Sequence, residues 1–134
     1  MTIIDPAYPV RIARPSRSLP TAEAFWCDGA GMEVLWRTGS DAEGGHALLM
    51  LGTPGATWHL ELVDDAASLA ANPPGPEDLL VIYLGRPATQ SEIDRLVAAG
   101  GQVVPARNPY WDRYGVTIED PDGYLLVLSS RTWG

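Results

Sequence analysis

Short alternating or apolar runs and two helical stripes follow one another along this chain in an order that occurs twice. Residues 9–15 alternate, with Val10 and Ile12 on one side and Arg11 and Ala13 on the other, which predicts a short strand. Residues 18–26 predict a helix: Pro20 suits its first turn, and Gly29 and Gly31 follow its end. Strands are predicted over 31–38, 45–51 and 56–63, with turns at 39–45 and at Thr53-Pro54-Gly55. Residues 64–78 hold Pro73, Pro74 and Pro76, which break helix and strand alike, so this stretch reads as an irregular linker.

After the linker the order recurs. Residues 79–84 form an apolar strand, and 89–99 an amphipathic helix with Ile93, Leu96 and Val97 on one stripe. Thr89 or Ser91 can cap that helix, and Gly100-Gly101 ends it. Strands over 102–106, 114–119 and 124–129 complete the set, the last two joined by the turn Asp120-Pro121-Asp122-Gly123. The expected architecture is therefore α+β: one domain over residues 1–134, built from a βαβββ module at about 9–64, a linker at about 65–77 and a second βαβββ module at about 78–130. Two such modules can pair curved mixed sheets around a ligand trough lined by alternate strand residues.

Composition narrows the function. The net charge is −8, and nucleic-acid binding needs basic groups to neutralise phosphates, so no nucleic-acid partner is expected. All nine basic residues are Arg, which excludes Schiff-base chemistry and a Lys phosphate cradle. No run reaches the roughly 18 apolar residues of a membrane span, and residues 1–17 lack the apolar core of an export signal. The single cysteine, Cys27, cannot form an internal disulfide; a reducing cytoplasm is the expected compartment.

Four stretches carry a family resemblance. They are Thr21-Ala22-Glu23-Ala24-Phe25-Trp26 running into Gly31-Met32-Glu33-Val34, Trp58-His59-Leu60-Glu61-Leu62-Val63, Asn108-Pro109-Tyr110-Trp111-Asp112-Arg113-Tyr114-Gly115, and Glu119-Asp120-Pro121-Asp122-Gly123-Tyr124 with Val127-Leu128. In this order they resemble the vicinal-oxygen-chelate superfamily of glyoxalases, bleomycin-resistance proteins and extradiol dioxygenases, and its YycE-like branch in particular. That resemblance implies a metal ligand on each of the first, fourth, fifth and eighth strands. The corresponding positions here are Arg11, Glu61, one near Leu79, and Val127. Only Glu61 can bind a metal, because Arg offers no lone pair and Leu and Val offer no donor atom. No metal or other cofactor is expected. Arg11 is instead expected to take the place of the cation and pair bidentately with Glu61 from the neighbouring strand.

The expected function is metal-independent binding of a small molecule with a planar aromatic group, such as an antibiotic, by a homodimer. Candidate ligand-binding residues are Arg11, His59 and Glu61 for the polar end, Trp36, His46, Met50 and Tyr83 along the trough, and Tyr110 and Trp111 as a flat wall in a loop. Trp58 alternates against His59 and Glu61 and is expected to face the helix. His46, His59 and Glu61 could by count form a displaced metal site. The competing function is a metal-dependent lyase, isomerase or dioxygenase; a blander one is a structural dimer with its trough filled by its own side chains.

Overall fold

The predicted strands assemble into two four-stranded mixed sheets of the same topology. The computed structural model describes residues 2–41 and 44–134, so part of the turn expected over 39–45 lies outside the described residues. The first sheet contains β1 (Val10–Ser16), β2 (Glu33–Thr38), β3 (Leu48–Gly52) and β4 (Trp58–Asp64) in the order β1-β4-β3-β2. The second contains β5 (Leu79–Tyr83), β6 (Gln102–Val104), β7 (Gly115–Glu119) and β8 (Leu125–Ser129) in the order β5-β8-β7-β6. In each sheet the first strand pairs parallel to the last, and the other pairings are antiparallel.

The helix after the first strand of each module packs against that module's sheet. α1 (Leu19–Glu23) starts at Ser18, whose side chain accepts from the Thr21 N–H, and continues as a π-helical segment over Ala24–Gly29. α3 (Gln90–Ala98) opens with a capping box: Thr89 Oγ1 accepts from Glu92 N at 3.1 Å, and the Glu92 carboxylate accepts from Thr89 N at 2.9 Å. The same carboxylate holds Arg86 at 2.7 Å, and these bonds keep it at about 2, well below the usual carboxylate range.

One apolar core is shared by both modules. Ala22, Phe25 and Trp26 from the first helical segment meet Leu49, Leu51, Leu60 and Leu62 from the first sheet, Leu96 from α3, and Ile118 and Leu126 from the second sheet. Gly101 lies at the centre of this junction. A Cβ there would lie 2.7 Å from both Ile118 Cγ2 and Phe25 Cε1, so only glycine lets the chain leave α3 past the core. The end of β1 is also stitched to the β7–β8 hairpin: Asp122 Oδ1 accepts from Arg17 N at 2.9 Å, and the Arg14 guanidinium lies 4.5 Å from the Tyr124 ring centroid.

Two helices depart from the sequence expectation. The region read as an irregular linker contains α2 (Ala66–Ala71), capped by Asp65, whose Oδ1 accepts from Ser68 N at 3.0 Å. The proline cluster begins only after this helix, and an Ala-rich turn behind an Asp cap satisfies helix formation without it. The stretch read as a loop around Tyr110 and Trp111 is α4 (Pro109–Tyr114), with Asn108 as cap and Pro109 at its start. No helix among the described residues is long and apolar enough to cross a membrane.

Candidate functional site

The parallel pairing of β1 with β4 places Arg11 beside His59 and Ala13 beside Glu61. Side chains two apart on a strand share a face, so Arg11, His59 and Glu61 all point away from the helix-covered core that Leu60 and Leu62 enter. β3 adds Met50, paired with Glu61, and Gly52, paired with His59. β2 adds Trp36, paired with Met50, where the register shifts between Val34 and Trp36. The structure thus brings Arg11, Trp36, Met50, His59 and Glu61 onto one face. Met50 is buried, whereas Trp36 is 63% exposed.

The guanidinium of Arg11 forks between two partners. Its Nε donates to His59 Nε2 at 3.0 Å, and its Nη1 donates to Glu61 Oε2 at 3.0 Å. The expected pair therefore exists, but it is not bidentate: Arg11 sits level with His59, with Glu61 two residues further on, so one arm of the fork is taken on the way. Because the arginine nitrogen can only donate, His59 Nε2 must be bare, and the proton of the neutral ring lies on Nδ1. Among the described residues the His59 Nδ1–H and Glu61 Oε1 thus have no hydrogen-bond partner. The Glu61 side chain is 16% exposed and that of Arg11 53%, so the carboxylate is the more desolvated partner.

Hydrogen-bond register gives an internal control on the metal question. Leu79 pairs with Leu125 and Val127 lies two residues beyond, just as Arg11 pairs with His59 and Glu61 lies two beyond. Likewise Thr117 pairs with Val127 as Met50 pairs with Glu61. The positions to which the superfamily resemblance points, with Leu79 for the third, hold a guanidinium, a carboxylate and two aliphatic side chains. This donor set does not fit a divalent ion, which needs several N, O or S donors to offset its dehydration. Thr117, in the place of Met50 on the second sheet, is buried with its hydroxyl unpartnered among the described residues; the sequence carries no signal for it beyond a polar residue in an apolar strand.

The remaining candidates lie elsewhere. His46 is not gathered with His59 and Glu61: its Nδ1 bonds the Asp64 carbonyl at 2.9 Å, and its Nε2 lies 3.7 Å from Asp65. The ring is held at the start of α2, a helix that the sequence reading had not placed. Among the described residues no three His, Cys, Asp or Glu side chains converge on a metal-sized site. Tyr83 lies at the end of β5, against Trp133 at 6.0 Å. Tyr110 and Trp111 meet edge to face at 5.0 Å on α4, which packs on β7 and β8, so these three aromatics belong to the second sheet. Tyr110 also meets Tyr114 at a tilt of 56° with centroids 5.1 Å apart, and the Arg131 guanidinium lies 4.7 Å from the Tyr114 ring. Burial and the nearby Glu23 push the Cys27 thiol up, away from nucleophilic use.

Comparison with known proteins resolves the family. Residues 10–63 match the YycE-like N-terminal domain, and residues 77–130 match the YycE-like C-terminal domain. The chain belongs to the YycE-like family. An uncharacterised YycE protein of Bacillus subtilis (strain 168) is 37% identical over 89% of this chain and 85% of its own length. The crystal structure of a YycE protein of unknown function from Bacillus subtilis superimposes with a TM-score of 0.76 at 32% identity, covering 96% of this chain and 92% of that one. TnmS3, an antibiotic binding protein from Streptomyces sp. CB03234, shares the fold at a TM-score of 0.66 and 20% identity, covering 98% of this chain and all (100%) of the other. The YycE-like fold is thus that of the glyoxalase and bleomycin-resistance proteins, as the doubled βαβββ order predicts.

Proposed function

We propose that this YycE-like protein is a metal-independent binding protein that sequesters a small molecule with a planar aromatic part. The observation that carries this reading is the Arg11 fork. A fixed positive charge, already matched by Glu61, stands where metal-binding relatives in the superfamily hold an ion, and neither Leu79 nor Val127 can replace the missing donors. The free Nδ1–H of His59 and Oε1 of Glu61 supply a donor and an acceptor for the polar end of a ligand. Trp36 and Met50 flank them on the same face, and Tyr83, Tyr110 and Trp111 are the remaining aromatic candidates for a wall. TnmS3 is described as an antibiotic binding protein, which makes sequestration of an aromatic natural product the role to test. No catalytic residue and no cofactor are assigned. The proposal includes a cytoplasmic homodimer, in keeping with the single free cysteine.

Protein purified without chelator and titrated with a panel of aromatic natural products tests this reading. The expected result is saturable quenching of Trp fluorescence by at least one compound, lost in Arg11→Ala, with bound metal far below one ion per chain. About one ion per chain, together with turnover that depends on added divalent metal, would replace the proposal with the enzyme reading. Absence of quenching across a broad panel would leave a structural dimer.

A further inference from the structure

A cavity lies on the opposite side of the first sheet from Arg11. It has a volume of about 250 Å3 and lies where the two modules meet. Trp26, Met32 and Trp58 wall it from the first module, and Leu80, Ile82 and Leu128 from the second. These strand residues alternate with those that carry Arg11, His59, Glu61, Leu79 and Val127, so the cavity is separate from the candidate site. Liquid water occupies about 30 Å3 per molecule, so the space suits a small organic molecule with a short chain or single ring system.

The polar groups around this cavity specify the class of ligand. Glu92 and Arg95, both on α3, are its charged lining residues. Glu92 is already compensated by Arg86 and the Thr89 N–H. Arg95 is not: its Nε donates to the Asp28 carbonyl at 2.5 Å, which fixes the side chain, and it has no ion pair among the described residues. Its two terminal nitrogens therefore remain available. An apolar cavity with a free, anchored guanidinium and no free carboxylate in its lining favours a ligand with an apolar tail and one anionic oxygen group.

We infer that this inter-module cavity binds an amphipathic monocarboxylate, with the tail between Trp58 and Ile82 and the carboxylate on Arg95. The test compares octanoate with 1-octanol by calorimetry and Trp emission. Octanoate binds saturably to the wild-type protein, at least about tenfold more tightly than octanol, the scale of one charge-assisted hydrogen bond. Arg95→Gln removes that advantage and leaves octanol binding unchanged. Ala30→Phe fills the cavity from an exposed position and abolishes binding of both, and circular dichroism checks that this variant is folded. Arg11→Ala leaves octanoate binding intact, so failure here and failure of the proposed aromatic-ligand site are read separately. Equal affinity for octanoate and octanol, no binding of either, an Arg95→Gln variant that behaves as wild type, or loss of octanoate binding in Arg11→Ala would each overturn the inference.

Discussion

Arg11 and Glu61 share an ion pair but not an environment. The arginine side chain is about half exposed and can turn to water if its partner is removed; the carboxylate is mostly covered and cannot. Replacing Glu61 with Leu should therefore cost less than about 1 kcal/mol, in the range of exposed pairs. Replacing Arg11 with Leu strands a desolvated carboxylate and should cost more, about 1–3 kcal/mol. The double variant should recover most of the Arg11→Leu loss. Urea denaturation of the three variants measures this, and equal costs for the two single changes would show that the carboxylate is better solvated than its burial indicates. The pair itself was legible in the sequence, because strand alternation and the adjacency of the first and fourth strands placed both side chains on one face. The arm reaching His59 was not, since it depends on a register of one residue that alternation alone does not fix. His46 misled for a related reason: histidines near in sequence number to a face count toward it until a cap elsewhere claims the ring.

Among the elements, the β7–β8 hairpin carries an unusual buried carboxyl. Asp120 Oδ1 accepts from the backbone N–H groups of Asp122 and Tyr124 at 2.9 and 2.8 Å, and Arg14 stands near, yet burial and the adjacent Asp122 raise it to about 6. The unfolded chain releases this proton near pH 4 and the folded protein near pH 6, so between these values the folded state binds more protons and loses stability as pH rises. A shift of about two units corresponds to at most about 3 kcal/mol. Asp120→Asn keeps the amide acceptor without the charge. It should match the wild type near pH 4 and exceed it by about 1–3 kcal/mol at pH 7, as read from urea midpoints across that range; a difference that does not vary with pH would refute the assignment. At this scale the eight strands and the two long helices were visible as periodicity and turns, because each has enough residues to show a stripe or an alternation. α2 and α4 have six residues each, too few for a stripe. Their signals were the caps, Asp65 and Asn108-Pro109, and both were outweighed by neighbouring prolines and aromatics.

For the molecule as a whole, the shared core sets the limits. Phe25, Ile118 and Leu96 meet across the module boundary, so neither βαβββ module covers its own apolar face. A chain cut in the 72–78 segment should give two halves that are unfolded alone and that regain strand structure when refolded together, because a fragment of about 65 residues is marginal in size and each half here loses the other's side of the common core. Circular dichroism of each half and of the mixture checks this; a cooperative unfolding transition in either half alone would contradict it. The repeat in element order was visible in the sequence, but this interlock was not, since it rests on a close approach at Gly101 that has no periodic signature.

The equivalence of Arg11 with Leu79 and of Glu61 with Val127 bears on how this surface could be remade. Recruiting a cation would require the guanidinium to leave and new donor groups to enter the second sheet together. Taken singly, these changes all go uphill: Arg11→His deprives Glu61 of its counter-charge, and a carboxylate at the fully buried Val127 would be dehydrated with nothing to hold. Directed evolution towards metal dependence should therefore stall at single substitutions and advance only from libraries that vary both sheets at once.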